Sequence, residues 1–87
     1  MIIKIEDMEF ESRDIKRLYP AVLVKTGYKD ETTEVSLEWI DVEAKDRVDI
    51  VNYGIFIILQ NEKRHSFLYQ DRFSLDNAIR LLSKQLQ

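Results

Sequence analysis

The sequence predicts an α+β domain: a mainly antiparallel sheet of about five to six strands, in the order β-α-β-β-β-β-α, closed by a C-terminal amphipathic helix. Three observations lead there. Thr33 to Ile40 (TEVSLEWI) alternates, with Val35, Leu37 and Trp39 on one face and Glu34, Ser36 and Glu38 on the other. That period of two belongs to a half-buried antiparallel strand. Gly54 to Gln60 (GIFIILQ) is a continuous apolar run, rich in isoleucine and too short for a full helix, which suits a central strand covered on both faces. Leu75, Ala78, Ile79, Leu82 and Leu86 fall on one helical stripe.

Taken in order, Ile2 to Glu6 (IIKIE) reads as a strand. Met8 and Phe10 alternate in the opposite phase to Ile3 and Ile5, so Glu6-Asp7 is a bulge or a tight turn. Ser12 can cap a short helix in which Asp14 suits the positive end of the dipole and Ile15, Leu18 and Tyr19 point inward. Pro20 disfavours helix at Tyr19 and ends it. Ala21 to Thr26 (AVLVKT) reads as a strand with Pro20 at its edge, and Gly27 to Thr32 is a polar turn whose glycine can take a positive φ. With Thr33 to Ile40 these make a hairpin.

Asp41 to Asp49 is charged and ambiguous; it can extend the strand to Val42 and then loop. Asn52-Tyr53-Gly54 reads as a turn or bulge before the central strand. Asn61 to Arg64 is a polar turn, and His65 to Gln70 a strand with Phe67 and Tyr69 on one face. Ser74 then caps the last helix, with Phe73 before it stapled against Ala78. The whole chain, residues 1–87, reads as a single domain, without repeats, linkers or composition breaks. In element order it resembles the pleckstrin-homology-like superfold, a curved antiparallel sheet closed at one end by a terminal helix. The resemblance implies a barrel as an option, and a fold that hosts many functions.

Composition bounds the function. There are no cysteines, which removes thiolate chemistry and zinc fingers and favours a reducing compartment. No signal peptide is visible, and the longest uncharged apolar run, Tyr53 to Leu59, is far short of a membrane span, so a cytoplasmic protein is expected. Net charge is −3: residues 1–43 hold 6 Lys/Arg against 11 Asp/Glu, and residues 44–87 hold 7 against 5. This overall acidity disfavours nucleic acid as a partner.

No P-loop, GxGxxG, GxSxG or HExxH motif is present, and no catalytic residue, cofactor or metal site is expected. His65, the only histidine, lacks a nearby nucleophile in sequence and reads as a solvated turn residue. Asp41, Glu43, Asp46 and Asp49 are spaced for calcium, but lack the EF-hand glycine and glutamate and are interrupted by Lys45 and Arg47. Lys63, Arg64 and Arg72 form a small basic group near Tyr69 and Phe73. Tyr28 in a turn and Tyr53 beside Gly54 are the interface candidates, because tyrosines anchor protein interfaces.

The expected function is a non-catalytic protein-interaction module, binding another protein or a second copy through an exposed sheet edge. Ala21 to Thr26 is one such edge, guarded by Asp30 and Glu31. The alternative is a domain binding a small ligand or an anionic headgroup in a groove lined by Lys63, Arg64 and Arg72; an enzyme has the poorest support. IFIIL at 55–59 is uncharged and β-prone, an aggregation hazard if exposed.

Overall fold

The computed structural model describes residues 1–29, 31–44 and 48–86, without the side chains of residues 43 and 44. The chain opens with a hairpin of β1 (Ile2–Ile5) and β2 (Met8–Glu11), in which Ile5 faces Met8 across the tight turn Glu6-Asp7. Glu6 holds a φ of 53° there, a left-handed conformation that a two-residue link demands. Reversing the chain at this turn explains the phase change between Ile3 and Phe10: the two residues lie opposite each other and are both buried.

The short helix expected after Ser12 is reduced to a single 3₁₀ turn, Ser12–Asp14. From there the chain runs straight through Pro20 as β3 (Ile15–Lys25), which turns at Gly27 (φ 86°) and Lys29 (φ 53°) into β4 (Thr32–Val35). Thr26 donates its N–H to the Glu31 carbonyl at 3.1 Å, on the β4 side, while Lys25 donates to Asp49 at 2.9 Å, on the opposite side. By alternation Pro20 aims its missing N–H toward the β4 side, where pairing begins only at Val22. The proline therefore does not break β3; it ends the ladder beside it. Ile15, Leu18 and Tyr19, expected on one helical face, are split by this strand, with Leu18 and Tyr19 on opposite sides.

The alternating stretch from Val35 to Trp39 does not continue as a strand. Ser36 accepts a hydrogen bond from the Trp39 N–H on its hydroxyl at 3.0 Å and caps a helical turn, α1 (Leu37–Trp39), that runs into a π-helical turn at Ile40–Ala44. Helical spacing brings Leu37 and Ile40 together against Val22 and Val24, and leaves Trp39 40% exposed. Local capping plus burial of Ile40 outcompetes the alternation, which a strand could have satisfied only by passing Pro20.

β5 (Ile50–Leu59) pairs with β3 on one side and with β6 (Arg64–Tyr69) on the other. Asn52-Tyr53-Gly54 lies within β5; the irregularity sits one step earlier, where Leu23 pairs with Asn52 and Val24 with Ile50, skipping Val51. The β5–β6 turn uses Glu62 at φ 70° and the Asn61 side chain, whose Oδ1 accepts from the Lys63 N–H at 3.0 Å. The last element, α2 (Arg72–Leu86), starts before Ser74. Its cap is Asp71, whose carboxylate accepts from the Ser74 N–H at 2.7 Å. Phe73 therefore falls inside the first turn and is 75% exposed, so it makes no staple.

Four strands form one antiparallel sheet in the order β4-β3-β5-β6, and β1 and β2 form a separate pair. The sheet is not closed into a barrel, which excludes that option. β3 is interior over Val22–Lys25, so the expected edge at Ala21–Thr26 is paired over most of its length; β4, β6 and the β4 side of β3 before Val22 are the edges. The inner face carries Ile55 and Ile57, covered by Leu75 and Leu82 of α2 and by Ile3, Ile5 and Phe10 of the β1–β2 pair. Each fully buried aliphatic chain contributes ~1.5–3 kcal/mol, so this layer dominates stability. Leu86, expected on the same stripe, is exposed. No helix among the described residues is long and apolar enough to cross a membrane.

Candidate interaction surfaces

The outer face of the four-stranded sheet has no covering element among the described residues. Alternation places Arg17, Tyr19, Ala21 and Leu23 of β3 on it, and the register sets Phe56 opposite Tyr19, Gly54 opposite Ala21 and Glu34 opposite Leu23. From β6 come Arg64, Ser66 and Leu68. Gly54 makes room here: a Cβ at that position would lie 3.0 Å from the Phe56 ring and 3.2 Å from a Leu68 methyl. Only a residue without Cβ lets the Phe56 ring fold back over its own strand.

The side chains form one connected group. The Tyr19 and Phe56 rings stack with centroids 5.6 Å apart at 24°. The Arg17 guanidinium lies 4.8 Å above the Tyr19 ring. The Tyr19 hydroxyl donates to Glu34 Oε2 at 3.1 Å and accepts from Arg64 Nη2 at 3.2 Å, and Arg64 stands 3.8 Å from the other Glu34 oxygen. Leu68 is 51% exposed beside them. Fixed aromatic rings and guanidinium groups are residue types that anchor protein interfaces, and the exposed Leu68 adds apolar surface beside them. The group was not legible in advance because it is assembled by register across three strands. The one local sign is the period of two at Arg17, Tyr19, Ala21 and Leu23, hidden by the helical reading of Tyr19.

A second concavity, a cleft of about 540 Å³, lies between β1 and α2 and is lined by Lys4, Ile5, Ala78, Leu81, Leu82 and Lys84. At its edge the Tyr69 hydroxyl donates to Glu6 Oε1 at 2.7 Å. Burial and the adjacent Glu6 carboxylate both push the Tyr69 phenol up from its ordinary range, so it stays protonated as a donor.

The residues singled out from the sequence are dispersed. Tyr28 is 63% exposed at the β3–β4 turn, with the Lys29 ammonium 5.7 Å from its ring. Tyr53 is half-buried on the inner face, packed against both apolar clusters, and serves the core. Lys63 sits in the β5–β6 turn and Arg64 on the outer face, but the length of β6 separates them from Arg72. Arg72 is taken up by Asp41, through paired contacts of 2.8 and 3.2 Å, and by Asp76 at 3.0 Å. These carboxylates, Asp41 first, hold its guanidinium above its usual proton affinity.

His65 is not a solvated turn residue: it is half-buried, edge-on to Phe10 at 5.2 Å. Of the acidic segment, Asp41 is committed to Arg72, while Asp46 and the Glu43 side chain lie outside the described residues. No group of three or more metal-ligating side chains forms among the described residues. Asp30 is likewise outside them; Glu31 is exposed, and its carbonyl receives the Thr26 N–H.

No family model matches the chain, and no curated protein or solved structure matches it either.

Proposed function

We propose that this domain is a non-catalytic protein-interaction module that docks a partner on the outer face of its four-stranded sheet. The supporting observation is the connected group of Arg17, Tyr19, Glu34, Phe56 and Arg64 around the exposed Leu68, on a face that no element covers among the described residues. Phe56 is only 7% exposed and holds the Tyr19 ring by stacking, so little side-chain entropy is lost when a partner lands on Tyr19. Arg17 and Arg64 outnumber the one carboxylate, Glu34, which is itself engaged by Tyr19. The partner patch is therefore apolar with carboxylates at its rim. A second copy fits this less well, because the same face offers arginines to arginines.

The test is affinity capture from the native cells with wild type and with Leu68→Asp in parallel, followed by mass spectrometry. One stoichiometric partner on wild type, lost on a folded Leu68→Asp, is the expected result. Recovery of the domain alone with wild type, or a partner retained equally by the variant, overturns this surface. A homodimer of the wild type, seen by native mass spectrometry and broken by Leu68→Asp, replaces the foreign partner with a second copy.

A further inference from the structure

The outer edge of β1 carries a contact that its neighbours do not explain. Ser12 donates its N–H to the Met1 carbonyl at 2.8 Å, so Met1, Ile3 and Ile5 aim their backbone groups at β2. Ile2 and Lys4 aim theirs away from it. At Lys4 that outward pair is occupied by a side chain: the Lys4 N–H donates to Gln85 Oε1 at 2.7 Å, and Gln85 Nε2 donates to the Lys4 carbonyl at 2.7 Å. A carboxamide is chemically a peptide unit. Gln85 thus makes the two reciprocal bonds that a residue of an added antiparallel strand would make.

We propose that the outer edge of β1 is a strand-docking site held shut by Gln85, and that it takes an extended acidic segment of another protein. It stands on residues separate from the outer-face surface. Three features define the occupant. Gln85 belongs to the last turn of α2, where carbonyls lack intrahelical partners, so releasing it disturbs little of the helix. A residue opposite Lys4 in an added strand places its side chain on the Lys4 face, where a carboxylate would flank Lys4 on the side away from Glu9, its partner on β2. Residues on either side of it point the other way, into the cleft floored by Ile5, Ala78 and Leu82, and Lys84 stands at the rim. Glu6, the one carboxylate in that lining, already receives the Tyr69 hydroxyl. Alternating acidic and apolar side chains match this edge.

The experiment titrates the intact chain, wild type and Gln85→Ala, with a blocked peptide of alternating aspartate and valine and with its lysine–valine counterpart. Binding is followed by amide proton–nitrogen NMR. The aspartate peptide moves the Lys4 amide and binds Gln85→Ala about five- to ten-fold tighter than wild type, since it no longer displaces two hydrogen bonds. The lysine peptide binds neither. Lys84→Glu, with Gln85 intact, weakens the aspartate peptide and keeps the question open to refutation if Gln85→Ala loosens α2. A Lys4 amide unmoved in Gln85→Ala, equal affinities for the two proteins, or shifts confined to Arg64–Tyr69 would each overturn the site. The last outcome would place strand addition on the β6 edge and leave the outer-face surface standing.

Discussion

The two faces of the four-stranded sheet are made by the same strands and behave as different materials. On the inner face Ile55 and Ile57 are shut off from water by α2 and the β1–β2 pair, and Val22 by Leu37 and Ile40. On the outer face Tyr19, Phe56, Arg64 and Leu68 alternate with them residue by residue and meet no covering element among the described residues. Inner positions are held by burial, which is non-directional and accepts any aliphatic chain of similar volume. On the outer face Ala21 and Phe56 are buried as well, at 3% and 7% exposure, but Arg17, Tyr19 and Arg64 are held by directed contacts: a ring stack, a cation over a ring, and a hydroxyl shared between Glu34 and Arg64. Directed contacts at a surface contribute little to stability, so the arrangement of Arg17, Tyr19 and Arg64 around the buried Phe56 is better explained by recognition than by folding.

The largest effect is expected where the contrast is sharpest. Ile57 is fully buried between β3 and β6. Ile57→Lys puts an uncompensated charge into the layer between sheet and helix, a cost of several kcal/mol against a total stability of only ~5–15 kcal/mol. Insoluble or unfolded protein is the expected outcome, read by expression and circular dichroism; a soluble protein with the native spectrum would show that the inner face is not the core. Leu82→Asp comes next. It leaves the sheet intact and detaches α2 from Ile3, Ile5 and Ile55, so the melting temperature should drop sharply, and an unchanged melting curve would refute that docking.

The inner layer was largely legible in the sequence because burial writes itself as periodicity. Leu75, Ala78, Ile79 and Leu82 on one stripe, and Phe67 with Tyr69 on another, all pack in the inner layer, because one local pattern has one physical cause. The misreadings share a different cause: a side chain with two possible jobs. Pro20 reads as a helix stop, yet in an extended chain it only removes a donor from a side where β4 pairing has not begun. Ser36 reads as a strand residue on the polar face, yet its hydroxyl caps α1. Ser74 reads as a cap, yet Asp71, three residues earlier, fills that role. The outer-face group was not legible at all, since nothing local connects Tyr19 to Glu34, Phe56 and Arg64 before the register is known.

Gly54 joins the two faces, because it lies between buried neighbours along β5 yet shapes the outer side. Gly54→Ala adds a Cβ 3.0 Å from the Phe56 ring, which is stacked on Tyr19 and not free to swing. Alanine also restricts the unfolded chain, a gain of ~0.5–1 kcal/mol, against an overpacking cost of ~1–3 kcal/mol. The net expectation is a loss of about 1 kcal/mol by denaturant titration. The same substitution made together with Phe56→Leu should be neutral or stabilising, and equal losses in both backgrounds would show that the ring is not what excludes a side chain.

Asp71 sets a smaller, pH-dependent effect at the start of the layer that covers the inner face. Hydrogen bonds from the Ser74 N–H, and then from its side chain, hold the Asp71 carboxyl below its ordinary value of 3.8. A carboxylate whose pKa is depressed on folding contributes stability above its unfolded pKa and loses it as pH falls through the folded value. Asp71→Ala should therefore melt a few degrees lower than wild type at neutral pH. The gap should close as the pH drops below 3.8. A gap that persists in acid would mean that the cap acts without its charge.

The smallest effect belongs to the outer face, and its smallness carries the argument. Leu68 contacts water over half its surface and its removal opens no cavity. Leu68→Asp should change the unfolding free energy by no more than ~0.5 kcal/mol, the range for exposed positions. If it does, and the captured partner is lost, stability and recognition are divided between the two faces of one sheet. If it instead unfolds the protein, Leu68 is a core residue seen from outside, the Gly54–Phe56–Leu68 packing belongs to folding, and the outer face loses its claim as a docking surface.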